Sequence, residues 1–320
     1  MLGLYITLGV LIFVVLPPFV IQFFVARHLV YKYFIRGKKE DWTRNPEIHD
    51  DEEKEMYLIG GKFHDDNIEF KEDVEIDSGK YHLLGEFYNF GFNKTAFIVC
   101  GRSEALTYSY FFATPYKDLG YNVLVIDNRS HGLSSGRYNS LGLDEWKDIL
   151  NWAKFLHDEK HQEKIFAHGI CIGSATILYA LVHNKKENLG VDYFEGMVAD
   201  GMYVNFYESF KNHSYEAGYK EHFVTDFFFM ILRSKIHKNA KRGPIDCIDE
   251  LDKPILFLFG KKDIYSVPEM SEKLYNKCKA TKQIVWFDEG AHSRIKINAI
   301  EKYEKAITDF VNKNIKGKEN

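Results

Sequence analysis

The chain is poor in cysteine and proline and has no surplus of positive charge. Among its 320 residues are 4 Cys and 7 Pro, and the formal charge is -4. Cys100, Cys171, Cys247 and Cys278 lie far apart, with no CxxC and no His at metal-ligand spacing. That pattern argues against a zinc site and against a disulfide framework. Free thiols are expected, which suits a reducing compartment. Without a concentrated basic face there is no reason to expect nucleic acid as a partner. No metal or organic cofactor is implied. The length leaves room for one large α/β domain plus an appendage, or for two small domains.

Charge is also missing at the start. Met1 to Val25 reads MLGLYITLGVLIFVVLPPFVIQFFV, without one ionisable side chain of the Asp, Glu, Lys or Arg kind. A run of that length can cross a bilayer core, which needs about 20 residues of helix. Pro17 and Pro18 should kink or locally break it. A cleaved signal peptide would begin with a basic n-region and end at a small-x-small site, and neither is present. A buried core helix fits less well, because the run is apolar on every face. Arg27, Lys32, Arg36, Lys38 and Lys39 follow the span and no Lys or Arg precedes it. The positive-inside rule then puts the C-terminal bulk in the cytoplasm, with residues 1–28 as a single transmembrane anchor. Residues 29–71 read as a connector, polar and acidic from about Lys39 onward, with one short helix.

From Glu72 onward short apolar runs alternate with helical periodicity. Asp73–Ile76 and Tyr81–Tyr88 flank the turn Asp77-Ser78-Gly79-Lys80 and read as an antiparallel hairpin. TAFIVC (Thr95–Cys100), YNVLVID (Tyr121–Asp127), KIFAH (Lys164–His168), FEGMVA (Phe194–Ala199), PILFLF (Pro254–Phe259) and QIVWF (Gln283–Phe287) read as strands covered on both faces. Helical stretches fall near Thr107–Leu119, Leu143–His157, Ile172–His183, Pro268–Lys279 and Arg294–Asn314. A hairpin entering such a series predicts an α/β fold with a mostly parallel sheet and helices on both faces, spanning residues 72–320. Gly201 to Asp252 breaks the alternation: it is about twice the usual connection length and rich in aromatics. This segment, about 202–252, is expected to be a helical cap with its own small core, and its inner face could line an acyl or aromatic pocket.

The sharpest local pattern is His168-Gly169-Ile170-Cys171-Ile172-Gly173-Ser174-Ala175, joining an apolar strand to an apolar helix. A residue on so tight a turn takes strained dihedrals, so the positions two either side must be small. Gly169 and Gly173 supply this. The central side chain then stands above the strand ends at the N-terminus of a helix, where the thiolate, the reactive form of cysteine, is favoured. The plain alternative is a small buried hydrophobe, a frequent fate of free Cys.

His292, in the Gly-containing loop after the last apolar strand, is the candidate base. Asp263, just past PILFLF, is the candidate acid that orients it, with Asp200 the competing choice. The chain contains 13 His, so a histidine near any given position is cheap; His131 is a weak competitor. The oxyanion donors are expected to be the backbone N–H groups of Ile172 and Arg102. The Arg102 side chain would favour an anionic substrate or simply be solvated. The loop Asp127-Asn128-Arg129-Ser130-His131-Gly132-Leu133-Ser134 reads as scaffolding.

Taken together, CGRS, DNRSHGLSSG, HGICIGSA, PILFLFGKKDIYSVP and DEGAHS resemble bacterial α/β-hydrolases of the serine-aminopeptidase-like group, including members with one N-terminal membrane helix. The resemblance covers about Glu72 to the C-terminus and is weakest across the insertion. It implies an α/β-hydrolase fold with a nucleophile elbow. Three positions depart from the group: Cys171 stands where serine is usual, Cys100 where a His commonly precedes the glycine, and Ser130 where glycine is frequent. Dienelactone-hydrolase-like enzymes of the same fold use cysteine at this elbow. The expectation is a hydrolase of a small-molecule or lipid-like ester, thioester or related acyl substrate, acting through Cys171, His292 and Asp263 and a thio-acyl intermediate. The alternatives are an inactive membrane-bound binding protein of the same fold, and a redox-sensitive protein pairing Cys100 with Cys171.

Overall fold

A computed structural model describes residues 2–37, 42–216, 218 and 223–315. The expected basic flank at Lys38 and Lys39, and Tyr219 of the insertion, lie outside the described residues. Eight strands form one sheet: β1 (Lys71–Ser78), β2 (Tyr81–Tyr88), β3 (Lys94–Val99), β4 (Asn122–Ile126), β5 (Lys164–Ile170), β6 (Phe194–Asp200), β7 (Ile255–Gly260) and β8 (Lys282–Phe287). Their order is β1-β2-β4-β3-β5-β6-β7-β8. The β1–β2 hairpin is antiparallel and β2 meets β4 antiparallel; from β4 to β8 every pairing is parallel.

The central strands are buried along their whole length, as β4 and β7 show, because helices cover both faces. The edge strand β1 is built differently. It carries Glu72, Asp73, Glu75 and Asp77 outward, charges that discourage a second sheet from adding to it. One core lies under the helices Trp146–Asp158 and Ile172–Glu187, the other under the helices near Leu106–Asp118 and Ile300–Asn314. Helix Ile172–Glu187 has almost no amphipathic bias, since neighbours surround its first three turns.

Several expectations are corrected. The stretch Thr107–Leu119 is not one helix but Leu106–Ser109, a 3-10 turn Tyr110–Phe112, and Thr114–Asp118, with Pro115 opening the last piece. The final helix begins at Ile300 rather than Arg294, after a series of turns. The connector's helix is not short: Asp51–Asp66 runs 16 residues, is capped by the Asp50 carboxylate on Glu53 N–H, and buries Met56 and Phe63.

Helical structure at the N-terminus continues through Leu2–Val10, a π-helical stretch Leu11–Val15, and Leu16–Phe34. Pro17 and Pro18 therefore do not end it. They cannot donate to the carbonyls one turn back, and the widened turn sits just before them. Gly3–Phe34, 32 residues, is long and apolar enough to cross a membrane. Its first part is exposed, with Phe13 at 80% and Ile21 at 63%, while Ala26, Val30 and Phe34 are buried against the body of the protein.

The insertion holds two helices, Phe206–Glu216 and Phe223–Ile236. Their aromatic rings form a cluster with the N-terminal helix: Phe34 meets Phe206 at 5.2 Å and Phe228 at 5.6 Å, and Phe23 meets Phe227 at 5.7 Å. The small core expected for the insertion is thus shared with the apolar N-terminal segment.

Candidate active site

Cys171 follows β5 directly and precedes helix Ile172–Glu187, with φ 53° and ψ −116°. Such a backbone is costly for any residue with a Cβ and is held by its surroundings. Cys171 N–H donates to Asp200 O at 2.8 Å, and Ser174 Oγ donates to Gly169 O at 2.5 Å. The flanking glycines are required by space. A methyl on Gly173 would lie 2.1 Å from Val99 O, and one on Gly169 2.3 Å from Ser174 N. Cys171 is half-buried and lines a cavity, unlike Cys100, which is fully buried. All four cysteines are free thiols.

His292 lines the same cavity. Its Nδ1 lies 2.7 Å from Asp263 Oδ2. Asp263 Oδ1 accepts from the N–H groups of Tyr265 and Ser266, both at 2.8 Å, which fixes the carboxylate. Burial opposes ionisation of this acid, yet the His292 ring and those two N–H donors outweigh it and hold it below the usual carboxylate range. Burial likewise disfavours a charged His292, but the Asp263 carboxylate and the Cys171 sulfur hold its pKa well above the ordinary value. Nε2 is buried without a hydrogen-bond partner, and the ring lines the cavity that Cys171 also lines. Gly201, with φ +59°, passes beneath the ring, where a Cβ would stand 3.2 Å from Cε1.

Asp200 is elsewhere. Its Oδ2 accepts from Tyr303 O–H at 2.6 Å, Tyr303 reaches His168 Nε2 at 3.0 Å, and Tyr116 meets His168 Nδ1 at 2.8 Å. Burial pushes Asp200 up to about 7 and His168 down to about 3. This network lies beneath the elbow and braces it. His131 is also structural: its ring stacks on Trp42 at 4.6 Å, Nε2 accepts from Ser103 N–H at 3.1 Å, and Nδ1 lies 2.9 Å from Arg129 O. Ser130 takes φ 73°, and its hydroxyl donates to Tyr138 O at 2.7 Å.

The Arg102 side chain is more than a solvated group: Nη1 donates to Tyr33 O at 2.9 Å, the guanidinium lies over the Phe34 ring, and the residue lines the cavity. Three further residues were not anticipated. Glu104 Oε2 accepts from Gly101 N–H at 2.9 Å and lines the cavity. His213, on the cap, stacks on Tyr265 at 4.5 Å, and Tyr265 in turn packs on His292 at 4.8 Å. Arg44 Nε donates to Asp127 Oδ2 at 2.8 Å, tying the connector to the loop after β4. His213 and Arg44 meet partners far along the chain, so no local pattern reveals them, whereas Glu104 acts on Gly101 three residues before it.

The profile of the prolyl oligopeptidase family matches residues 107–318. The chain belongs to that family. This prolyl oligopeptidase family member is similar to the Bacillus subtilis (strain 168) protein YqkD, 30% identical over 216 residues, which covers 65% of this chain and 66% of that protein. Among solved structures it is similar to the Pyrococcus furiosus esterase Pf2001, with TM-score 0.64 at 19% identity, covering 87% of this chain and 100% of the esterase. An α/β-hydrolase from Vibrio vulnificus gives TM-score 0.57 at 16% identity, over 87% of this chain and 99% of that one. These likenesses show the α/β-hydrolase fold. The chain is an α/β-hydrolase enzyme.

Proposed function

We propose that the protein hydrolyses a carboxylic ester, thioester or related acyl compound with Cys171 as nucleophile, His292 as base and Asp263 as the acid that orients it. The observation that carries this reading is the arrangement of His292. One ring nitrogen is fixed to Asp263 at 2.7 Å, while the other is buried without a hydrogen-bond partner in the cavity that Cys171 also lines.

In the acylation step Nε2 takes the Cys171 proton and Sγ attacks the substrate carbonyl carbon. The carbonyl electron pair moves to oxygen, and the N–H groups of Ile172 and Arg102 hold the oxyanion. Ile172 opens its helix, so its N–H has no intrahelical acceptor. Gly101 N–H is engaged by Glu104, which leaves Arg102 as the donor from that loop. Collapse breaks the bond to the leaving oxygen or sulfur, which takes the proton from His292. Water then attacks the thio-acyl carbon as His292 removes its proton. Collapse of that second adduct breaks the C–S bond, returns the proton to sulfur and releases the acid.

Residues 1–28 would serve as a membrane anchor and 29–71 as the connector, with 72–320 as the hydrolase domain and about 202–252 as its cap. Packing of Ala26, Val30 and Phe34 into the body supports retention of the helix in the mature protein. The basic residues after the span support a cytoplasmic enzyme.

Iodoacetamide labelling with peptide mapping, beside ester hydrolysis by wild type and Cys171→Ala, tests the assignment. Preferential alkylation of Cys171 and loss of hydrolysis in the variant are expected. Full activity in Cys171→Ala would overturn it.

A further inference from the structure

The catalytic cavity is not walled by the hydrolase domain alone. It has a volume of about 710 Å³, within the usual range of small-molecule sites of about 300–1,000 Å³. Val25, Leu29 and Tyr33 of the N-terminal helix line it, together with Cys171 and His292. These three recur every fourth residue and so form one stripe along the helix. The adjoining stripe, Ala26, Val30 and Phe34, is the one buried in the body. One helix therefore grips the enzyme with one stripe and faces the reaction site with the next.

The cavity's lining is divided. The N-terminal helix and the cap provide its apolar groups, with Leu29, Val224, Phe206 and Phe210 continuous with the shared aromatic cluster, and the cap adds the polar Ser209, His213, Ser214 and Thr225 beside them. Glu53 of the connector helix, Arg102, Glu104 and Arg294 provide its charged groups, with Arg294 3.7 Å from Glu53. The helix leaves the protein at the apolar side: Ile21, Phe24 and Val25 are 63%, 58% and 44% exposed. Gly3 to Phe24 spans about 33 Å at 1.5 Å per residue, close to the thickness of a bilayer core of about 30 Å.

We infer that the substrate is a membrane amphiphile, an acyl ester or thioester whose tail lies between the N-terminal helix and the cap while its polar end faces Glu53, Glu104 and Arg294. The inference rests on the acyl-hydrolase reading above and names its substrate class. The stripe Val25–Leu29–Tyr33 sets acyl length, and the tail enters where the helix emerges from the body.

The test uses the full chain in lipid nanodiscs with p-nitrophenyl esters of two, four, six and eight carbons, all kept monomeric in water. Burial of each methylene can raise kcat/KM by up to about fourfold, so the eight-carbon ester should exceed the two-carbon ester by at least about tenfold. Leu29→Trp and Val224→Trp, which fill the apolar side, should each cut that eight-to-two ratio by at least about tenfold. Leu58→Trp, on an exposed position of the connector helix, should leave the ratio as in wild type. A ratio near one in wild type, or a ratio untouched by both cavity variants while turnover persists, overturns the inference and spares the hydrolase reading. No turnover of any ester together with no acylation of Cys171 overturns both.

Discussion

The guanidinium of Arg102 donates to the main-chain carbonyl of Tyr33 at 2.9 Å, joining the loop after β3 to the end of the N-terminal helix. The same residue's N–H is the proposed second oxyanion donor, so one residue links the apolar helix to the reacting oxygen. Arg102→Ala should cost about 1.5–3 kcal/mol of stability, the range for a hydrogen bond to a charged group. It should also lower kcat more than it raises KM, because the loop's N–H loses its position. Thermal melting and ester kinetics of the full chain in nanodiscs check both effects.

Asp263 and Asp200 both follow strand ends, and the account assigns them opposite fates. Asp263→Asn should lower kcat/KM by about 10³–10⁴-fold, since the His292 tautomer is no longer fixed. Asp200→Asn should stay within about tenfold of wild type. Parallel kinetics of the two variants decide which carboxylate orients the base.

Asp200 also makes a stability prediction. Its folded value of about 7 lies above the unfolded one, so the folded state favours the protonated carboxyl. Its stabilising effect is full below the ordinary Asp range and is lost as pH rises through about 7. Asp200→Asn should flatten that decline, which denaturant titrations at pH 5 and pH 8 would reveal.

Glu104 is likewise pushed up to about 7, chiefly by burial and against the pull of the Gly101 N–H and His292. Above that pH its negative charge sits in the cavity beside the developing oxyanion and opposes it. The kcat/KM profile of wild type should therefore fall above about pH 7, and Glu104→Gln should remove that fall. A profile measured from pH 5 to 9 checks the sign.

Gly173→Ala is predicted to fail structurally, because the added methyl would meet Val99 O at 2.1 Å, and backbone cannot yield as a flexible side chain does. The loss should be about 3 kcal/mol or more. A denaturation midpoint close to wild type would show that the elbow is looser than described.

Much of this was legible in the sequence, for identifiable reasons. The buried parallel strands announce themselves as unbroken apolar runs, and the elbow does so because small residues are the only ones its geometry admits. Asp263 and His292 were found from their places after β7 and β8, and they do meet. The anchoring of the Arg102 side chain is not legible in the sequence because its partner, Tyr33 O, is 69 residues away and a main-chain atom. His213 went unseen for a similar reason: it packs against Tyr265 of a distant loop. Pro17 and Pro18 marked a local break of the α-helix, which takes the form of the widened turn Leu11–Val15 just before them. The length of the Asp51–Asp66 helix was hidden by its acidic face, since only Met56, Gly60 and Phe63 are fully buried.

The most direct measurement is intact and peptide mass spectrometry of the full chain, acid-quenched during turnover of an octanoyl ester. The account predicts an octanoyl mass on the peptide containing Cys171, decaying at the rate of product release and missing in Cys171→Ala. Acyl mass on any other residue, or undiminished turnover by Cys171→Ala, would contradict it.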